Sequence, residues 1–269
     1  AWTLLTETGV RNAFIPPTAL KMMRAAAGND FAKDLKLRSI VSGGEAVGRQ
    51  LQEWSKGHLG VRVNEIYGQT ECNLVLQSCG AIGIWRPGAI GMPTPGHEVA
   101  IIDKDGAVMT PGTAGTIAIK RPDPVMFLGY WKNEQATRDK FVGDWLLTGD
   151  QGVVDEEGYF SFFGRDDDVI TSAGFRIGPT EIEDCLISHP AVKLAAVIGK
   201  PDELRTEIVK AFIVLNDGYT PGDELAADIS SYVRTTLSAH ENPREIAFEE
   251  TLPLTTTGKV IRRLLRERT

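Results

Sequence analysis

The order of helix-like and strand-like segments constrains the fold of this chain more than any other feature. Helical periodicity over 18–27 and 47–58 alternates with strand-like runs at 37–41 and 61–67. A strand, a helix and a further strand in succession usually form a parallel crossover unit. We therefore expect the chain to open in an α/β domain with parallel βαβ units.

The pattern changes at Gly91. Short strand-like runs follow it, separated by turn signals at Asp105-Gly106 and Glu157-Gly158. This spacing predicts an antiparallel, barrel-like section. After a charged run the alternation resumes, with helices expected over 180–188 and 223–238, strands at 195–199, 208–215 and 244–250, and a basic helix over 260–268.

A domain boundary is predicted at Asp167. Residues 1–166 are then the remainder of a large N-terminal domain, and 167–269 form a small α+β domain of a usual size. Because the chain begins with Ala1-Trp2 and not with methionine, we expect it to be a piece of a longer protein.

Composition narrows the choice of partners. The 36 acidic and 29 basic residues give a net charge of −7, which argues against nucleic acid or an anionic membrane surface as the main partner. The 3 cysteines form no CxxC pair and the 4 histidines are scattered, so neither a disulfide framework nor a zinc site is predicted. This favours a cytoplasmic setting. No membrane span is expected, and a homo-oligomer is left open.

Two glycine-containing segments fail as phosphate-binding motifs. The run ending in Gly258-Lys259 has Pro253 and Val260 where a Walker A loop needs glycine and a hydroxyl residue. In the run SGGEAVG, Glu45 stands at the middle glycine of a dinucleotide fingerprint. That second run still follows a strand, at the end of a parallel sheet where ligands commonly bind.

Four segments occur in a fixed order along the chain. They are YGQTE at 67–71, LLTGD at 146–150, GRDDDVITSAGFRIGPTEIE at 164–183 and PLTTTGK at 253–259. Together they resemble the adenylate-forming enzymes, which include acyl-CoA synthetases, luciferases and adenylation domains, and they look most like medium-chain acyl-CoA synthetases. The resemblance covers the later part of such an enzyme, without the upstream glycine-, serine- and threonine-rich phosphate loop.

The resemblance implies a reaction in two halves. A carboxylic acid and ATP, with Mg²⁺, give an acyl-adenylate and pyrophosphate, after which the CoA thiol takes the acyl group. Residues 1–166 would belong to the AMP-binding domain, and 167–269 would form a mobile lid that turns at a hinge at Asp167. A medium-chain or aryl acid is expected in preference to acetate, because Gly68 stands where the acetate-specific branch has tryptophan.

For the first half, the resemblance implies that Lys259 bridges carboxylate and phosphate oxygens. At about 4 Å and an effective dielectric of about 20, one such charge contact is of order 4 kcal/mol before desolvation. Thr70 would contact phosphate and Glu71 would hold Mg²⁺. The nucleotide contacts implied are Gly43, Gly44, Glu45, Glu65, Ile66, Tyr67, Gly68, Gln69, Asp150, Arg165 and Arg176.

For the second half, the resemblance implies that Lys259 leaves and a CoA-binding loop enters. The CoA contacts implied are Ser172, Ala173, Gly174, Phe175 and Arg205. The family often has serine where Ala173 stands, so a hydroxyl contact is lost here. In the terminal helix we expect Val260, Ile261, Leu264 and Leu265 to be anchors, and Arg262 and Arg263 to face solvent. Asp168 is interpreted as structural.

Other readings of the same residues stay open. Glu71 could be a solvated acid, Asp150 a turn former and Arg165 part of a surface charge cluster. At the level of function, the alternatives are an adenylation module that loads a carrier protein and a non-catalytic nucleotide-binding fragment.

Overall fold

The computed structural model describes residues 1–27, 34–255 and 258–269. They form two compact units, Ala1–Phe162 and Phe163–Thr269. The predicted hinge residue, Asp167, lies in the second unit, and its role as a hinge stays a prediction. The helices are α1 Trp2–Glu7, α2 Pro17–Ala25, α3 Arg49–Trp54, α4 Glu134–Arg138, α5 Pro179–Ile187, α6 Asp223–Thr236 and α7 Arg262–Arg266.

The strands confirm the predicted α/β class. They are β1 Asn12–Phe14, β2 Ser39–Gly43, β3 Val63–Gln69, β4 Cys72–Gln77, β5 Met92–Pro93, β6 Val99–Ile102, β7 Gly115–Lys120, β8 Phe141–Val142, β9 Trp145–Val154, β10 Phe160–Arg165, β11 Ile170–Ser172, β12 Phe175–Ile177, β13 Val192–Asp202, β14 Thr206–Leu215 and β15 Glu245–Phe248.

The first unit opens with a mixed sheet in the order β1-β2-β3-β4-β5. The pairs β1–β2 and β2–β3 are parallel, and α2 and α3 are the connecting helices, as the alternation predicted. The buried side chains Leu20 and Leu51 of these helices pack with Ile40 and Val63 of the sheet. Strand β4 then turns back antiparallel to β3, which places a hairpin turn at the end of the parallel strands.

A second sheet has the order β10-β9-β7-β6, with β8 beside β9. The pairs β6–β7, β7–β9 and β8–β9 are antiparallel, which confirms the prediction for the residues after Gly91. The turn predicted at Asp105-Gly106 forms between β6 and β7. There the Asp103 carboxylate accepts backbone hydrogen bonds from Asp105 and Ala107, both at 2.9 Å.

The second unit contains a sheet in the order β12-β11-β14-β13, with β15 parallel to β14. Alternate residues of a strand point to opposite faces. Accordingly Val197 packs under α5 and α6, whereas Ala196 and Ile198 contact Leu265 of α7 on the other face. Pro179 begins α5, where its fixed φ suits the first helical turn.

Among helices in the described part of the chain, none combines the length and apolar character that crossing a bilayer requires.

Candidate functional site

The predicted phosphate and metal residues form the turn of a β-hairpin. Gln69 of β3 pairs with Cys72 of β4, so Thr70 and Glu71 are the two residues between the strands. The register shifts beside them, at Gly68. A Cβ added to Gly68 would lie 2.3 Å from the backbone oxygen of Asn73, closer than real contacts allow. The hairpin itself therefore requires glycine at position 68. The absence of a side chain at Gly68 thus has a structural reason in addition to the room it leaves for the acid.

The carboxylate of Glu71 is oriented by a tyrosine outside the four motif segments. Tyr130 donates its phenolic hydrogen to Glu71 Oε1 at 2.5 Å, and the backbone amide of Phe127 donates to the Glu71 carbonyl at 2.8 Å. Partial burial and this hydrogen bond raise the pKa of Tyr130 to about 12. Tyr130 is thus a neutral donor at physiological pH. The sequence offered one weak signal for it, an aromatic pair in the loop after β7.

A single carboxylate of this kind fits Mg²⁺, which proteins usually hold with one or two carboxylates and the phosphates of the substrate. Glu71 would supply the protein oxygen, and the metal would neutralise charge on the phosphates. In the residues that the structure describes, no cluster of three or more histidine, cysteine, aspartate or glutamate side chains is arranged to hold a metal ion.

The structure brings Tyr67, Gln69 and Asp150 together from two of the motif segments. Tyr67 Oη donates to Asp150 Oδ2 at 2.6 Å, and Gln69 Nε2 lies 3.4 Å from the same oxygen. Asp150 is only 5% exposed, and its amide donates to the hydroxyl of Thr148 at 3.0 Å. Burial, and then the charge of Asp150, raise the pKa of Tyr67 well above its ordinary value. A carboxylate held in this way can accept hydrogen bonds from a ribose diol.

The predicted adenine residues lie where β2 and β3 end. Gly43 pairs with Ile66 across the parallel ladder, so closely that a Cβ on Gly43 would lie 2.6 Å from the Ile66 oxygen. Gly44 has a φ of 91°, which glycine adopts without strain. Glu45 accepts a hydrogen bond from Thr18 Oγ1 at 2.8 Å.

Glu65 differs from its neighbours because its carboxylate points into the protein. Oε1 accepts from the amide of Val47 at 3.3 Å and Oε2 accepts from Gln52 Nε2 at 3.1 Å. This buried carboxylate braces the segment that enters α3. Any contact of Glu65 with a nucleotide would therefore have to come from its backbone.

In the second unit, the predicted CoA residues share one corner. Ala173 and Gly174 form a two-residue hairpin turn between β11 and β12, with φ of 50° and 85°. The amide of Ala173 donates to the carbonyl of Arg205 at 2.9 Å. Ser172 is buried beneath the turn, whereas Phe175 stacks on His240 with ring centroids 4.3 Å apart.

The predicted phosphate and ribose arginines of this unit are on its surface. Arg176, on β12, lies 3.9 Å from Asp166, and both side chains are more than half exposed, at 58% and 54%. Arg165 is also exposed, at the end of β10.

Lys259 lies on a short closed loop and is exposed. Leu254 and Val260 form an antiparallel bridge, and the Thr255 amide donates to the Lys259 carbonyl at 2.8 Å. The Lys259 amide in turn donates to Thr255 Oγ1 at 3.0 Å. Thr256 and Thr257, part of the predicted loop, lie outside the described residues. The loop therefore holds the backbone of Lys259 in place at an exposed position.

The prediction that Arg262 faces solvent is wrong. Arg262 Nη2 lies 2.8 Å from both carboxylate oxygens of Glu183, and Nη1 lies 3.4 Å from Asp168. Burial acts to lower the pKa of Arg262, but the two carboxylates outweigh it, so the pKa is raised above its ordinary value. The prediction failed because α7 begins only at Arg262, which turns this side chain toward α5.

Arg266 extends the same network. It lies one helical turn after Arg262 and therefore on the same face. Its Nη2 donates to Asp168 Oδ1 at 2.5 Å and to the carbonyl of Asp167 at 2.8 Å. The structural interpretation of Asp168 is thereby confirmed. Arg263 is 75% exposed, as predicted, and pairs with Glu267. Leu265 is fully buried and Val260 packs beside it, while Ile261 and Leu264 are half-buried outside that cluster.

Two family models match this chain. The family model described as AMP-binding enzyme matches residues 1–131, and the one described as AMP-binding enzyme C-terminal domain matches residues 181–259. The chain belongs to the AMP-binding enzyme family. The resemblance inferred from the four segments is thus confirmed.

Curated members of the family are similar over nearly all of this chain. An uncharacterized acyl–CoA ligase and an acetyl-coenzyme A synthetase, both of Bacillus subtilis, are 41% and 40% identical over 94% and 97% of it. The mitochondrial acyl-coenzyme A synthetase ACSM3 of Rattus norvegicus is 40% identical over 94%. The alignments cover 47%, 46% and 44% of these proteins, so the chain spans about half the length of the curated relatives it matches.

A solved structure shares the fold throughout. The anthranilate CoA ligase AuaEII in complex with anthranoyl-AMP superposes with a TM-score of 0.87 at 33% identity, covering 99% of this chain and 50% of that one. The likeness extends over both compact units of this AMP-binding family member.

Proposed function

We propose that the protein is an ATP-dependent acid:CoA ligase. It activates a carboxylic acid as an acyl-adenylate, releases pyrophosphate, and transfers the acyl group to the CoA thiol. This proposal rests on the hydrogen bonds that join Tyr67 and Gln69 to the buried carboxylate of Asp150. Two motif segments far apart in sequence thereby supply one polar site, at the sheet edge where α/β folds bind nucleotides.

In the first half-reaction, the residues of the first unit hold the nucleotide. Asp150 accepts from the ribose hydroxyls, Thr70 donates to phosphate, and Glu71, oriented by Tyr130, supplies the oxygen for Mg²⁺. Lys259 of the second unit supplies the cation between the acid and the α-phosphate. Because both reacting groups are anions, preplaced positive charge is the largest contribution expected from the protein.

In the second half-reaction, the second unit presents a different surface. Rotation at Asp167 withdraws Lys259 and brings the turn at Ala173-Gly174 toward the acyl-adenylate. The turn has no bulky side chain, so a pantetheine arm can pass close to its backbone. Arg165 and Arg176 contribute positive charge to the nucleotide, and Arg205 to CoA.

The acid is proposed to be a medium-chain or aryl acid. The proposed location of the protein is the cytoplasm. Support for the acid comes from a relative named as an acyl-coenzyme A synthetase and from a similar solved structure named as an anthranilate CoA ligase. One relative is named an acetyl-coenzyme A synthetase, so acetate belongs among the acids tested.

The test uses the full-length product of the gene with ATP, Mg²⁺, CoA and a panel of acetate, butyrate, octanoate, benzoate and anthranilate. We expect acid-dependent formation of AMP, pyrophosphate and a CoA thioester, with octanoate or an aryl acid preferred. Release of ADP, or no acid-dependent AMP with any of them, would contradict the proposal. Thioester formed only on a phosphopantetheinylated carrier protein would replace it with the carrier-loading function.

A further inference from the structure

The helix that follows Lys259 is tied by partly buried ion pairs to the start of its own unit. Arg262 and Arg266 reach back to Asp168, and Arg266 also donates to the Asp167 carbonyl. Glu183 of α5 completes the network, since its Oε1 accepts both from Arg262 and from the Val197 amide of β13. We call these four side chains, Asp168, Glu183, Arg262 and Arg266, the clamp.

The clamp is shielded enough from solvent to hold α7 in a defined position against Asp168 and Glu183. The side chains of Asp168 and Glu183 are 12% and 14% exposed, that of Arg262 is 21% exposed and that of Arg266 is 34% exposed. Partly buried ion pairs are screened less than exposed ones, and breaking one leaves a partly buried charge with one partner fewer. The pair between Arg263 and Glu267 on the outer face of α7 is exposed and carries no such constraint.

Helix α7 depends on outside contacts for its position. It has 5 residues, far fewer than an isolated helix needs to be stable in water. The buried Leu265 fixes its apolar side against the sheet, and the clamp fixes its polar side. The loop of Lys259 runs directly into this helix, so the place of the lysine depends on both attachments.

We propose that Arg262 and Arg266 are positioning residues for Lys259, acting through the clamp, which makes the predicted hinge segment and the lysine loop move as one rigid piece. This rests on the proposed function. A turn at Asp167 then carries Lys259 to a defined place, because the residue next to the hinge and the helix next to the lysine are joined.

The proposed CoA-binding turn at Ala173-Gly174 is held by backbone pairing between strands and not by the clamp. Ile170 pairs with Ile177 and Ser172 with Phe175 in the hairpin, and Ser172 also pairs with Thr206 of β14. These backbone pairings do not involve the four side chains of the clamp. Loosening the clamp should therefore displace Lys259 and leave the turn at Ala173-Gly174 in place.

The experiment compares Arg266→Gln and Asp168→Asn with Arg263→Gln in the full-length product of the gene. The two half-reactions are measured separately, as acid-dependent exchange of pyrophosphate into ATP and as thioester formation from supplied acyl-adenylate. We expect the clamp variants to lose exchange by about 10-fold to 100-fold, as misplaced catalytic groups do, mainly in kcat. Thioester formation should change little, and Arg263→Gln should match wild type in both.

Two further measurements separate positioning from general stability. Arg262→Lys keeps the charge without the planar fork, so it should retain more exchange than Arg262→Gln. Amide hydrogen exchange should become faster at Gly258, Lys259 and Ile261 in Arg266→Gln and stay unchanged in Arg263→Gln. Thermal unfolding shows whether each variant is folded.

Equal loss of both half-reactions in a folded clamp variant would overturn the proposal, as would normal pyrophosphate exchange. If wild type shows no acid-dependent exchange with any acid, the proposed function fails. The amide exchange at the Lys259 loop then decides alone whether the clamp holds that loop, and unchanged protection in Arg266→Gln would refute it.

Discussion

At the scale of single residues, the site depends on buried polar side chains with specific partners. Tyr67 and Asp150 are the clearest pair, joined at 2.6 Å where the carboxylate is almost wholly buried. A buried acceptor that loses its donor costs about 1–3 kcal/mol.

We predict that Tyr67→Phe lowers the free energy of unfolding by about that amount, 1–3 kcal/mol, and weakens ATP binding. Urea unfolding and calorimetric titration with ATP measure the two effects. Tyr219→Phe, on the exposed surface of the second unit, serves as the control and should leave both values unchanged. A Tyr67→Phe protein as stable as wild type would show that the hydrogen bond does not hold Asp150.

The cysteines give a second prediction. Burial raises the pKa of Cys72 to about 12 and that of Cys185 to about 11, so both thiols resist deprotonation at pH 8. Because the thiolate is the reactive form, iodoacetamide should alkylate Cys79, which is partly exposed, before the other two. Peptide mass spectrometry over a time course measures this order, and urea-unfolded protein should label at all three. Early labelling of Cys72 would contradict the burial described for it.

Sequence alone predicted candidate site residues, because motifs combine residue type with spacing. It missed Tyr130 and misplaced Arg262. Both errors have the same cause: their partners, Glu71 and Glu183, are brought to them by folding and stand at no fixed spacing. For Glu65, the family resemblance implied a nucleotide contact, whereas its carboxylate accepts a hydrogen bond from Gln52 within the protein.

At the scale of secondary-structure elements, the hairpin of β3 and β4 depends on the close approach of its strands. Gly68→Ala would place a Cβ 2.3 Å from a backbone oxygen that cannot move without distorting β4. We predict a loss of about 1–3 kcal/mol, the usual cost of overpacking, measured by urea unfolding. Gly57→Ala meets no atom within 4 Å and is the matched control. Equal stability of the two variants would contradict the tight packing at Gly68.

Element type was predictable because hydrophobic period separates helix from strand. Helix α5 was expected over 180–188 and runs Pro179–Ile187, and α6 was expected over 223–238 and runs Asp223–Thr236. The terminal helix was expected to be longer than Arg262–Arg266. Its short length follows from the Lys259 loop, whose bridge between Leu254 and Val260 keeps the residues before Arg262 out of the helix.

At the scale of the whole molecule, the chain has two compact units and a net charge of −7. On the proposed function, an acidic protein would join a carboxylate to a nucleotide phosphate, so it would have to place its cations specifically. The sequence predicted a boundary at Asp167, but it could not reveal the clamp beside that residue, because four side chains from three separate stretches of chain form it.

In the proposed mechanism, Lys259 serves acid activation and not thioester formation. Acid-dependent exchange of labelled pyrophosphate into ATP, on the full-length protein and on Lys259→Ala, tests it most directly. Lys259→Met is the matched apolar control of similar length. We predict that exchange falls by orders of magnitude in both variants, while thioester formation from supplied acyl-adenylate is much less affected, because the cation acts only where the two anions meet. Normal pyrophosphate exchange by Lys259→Ala would contradict this role of Lys259.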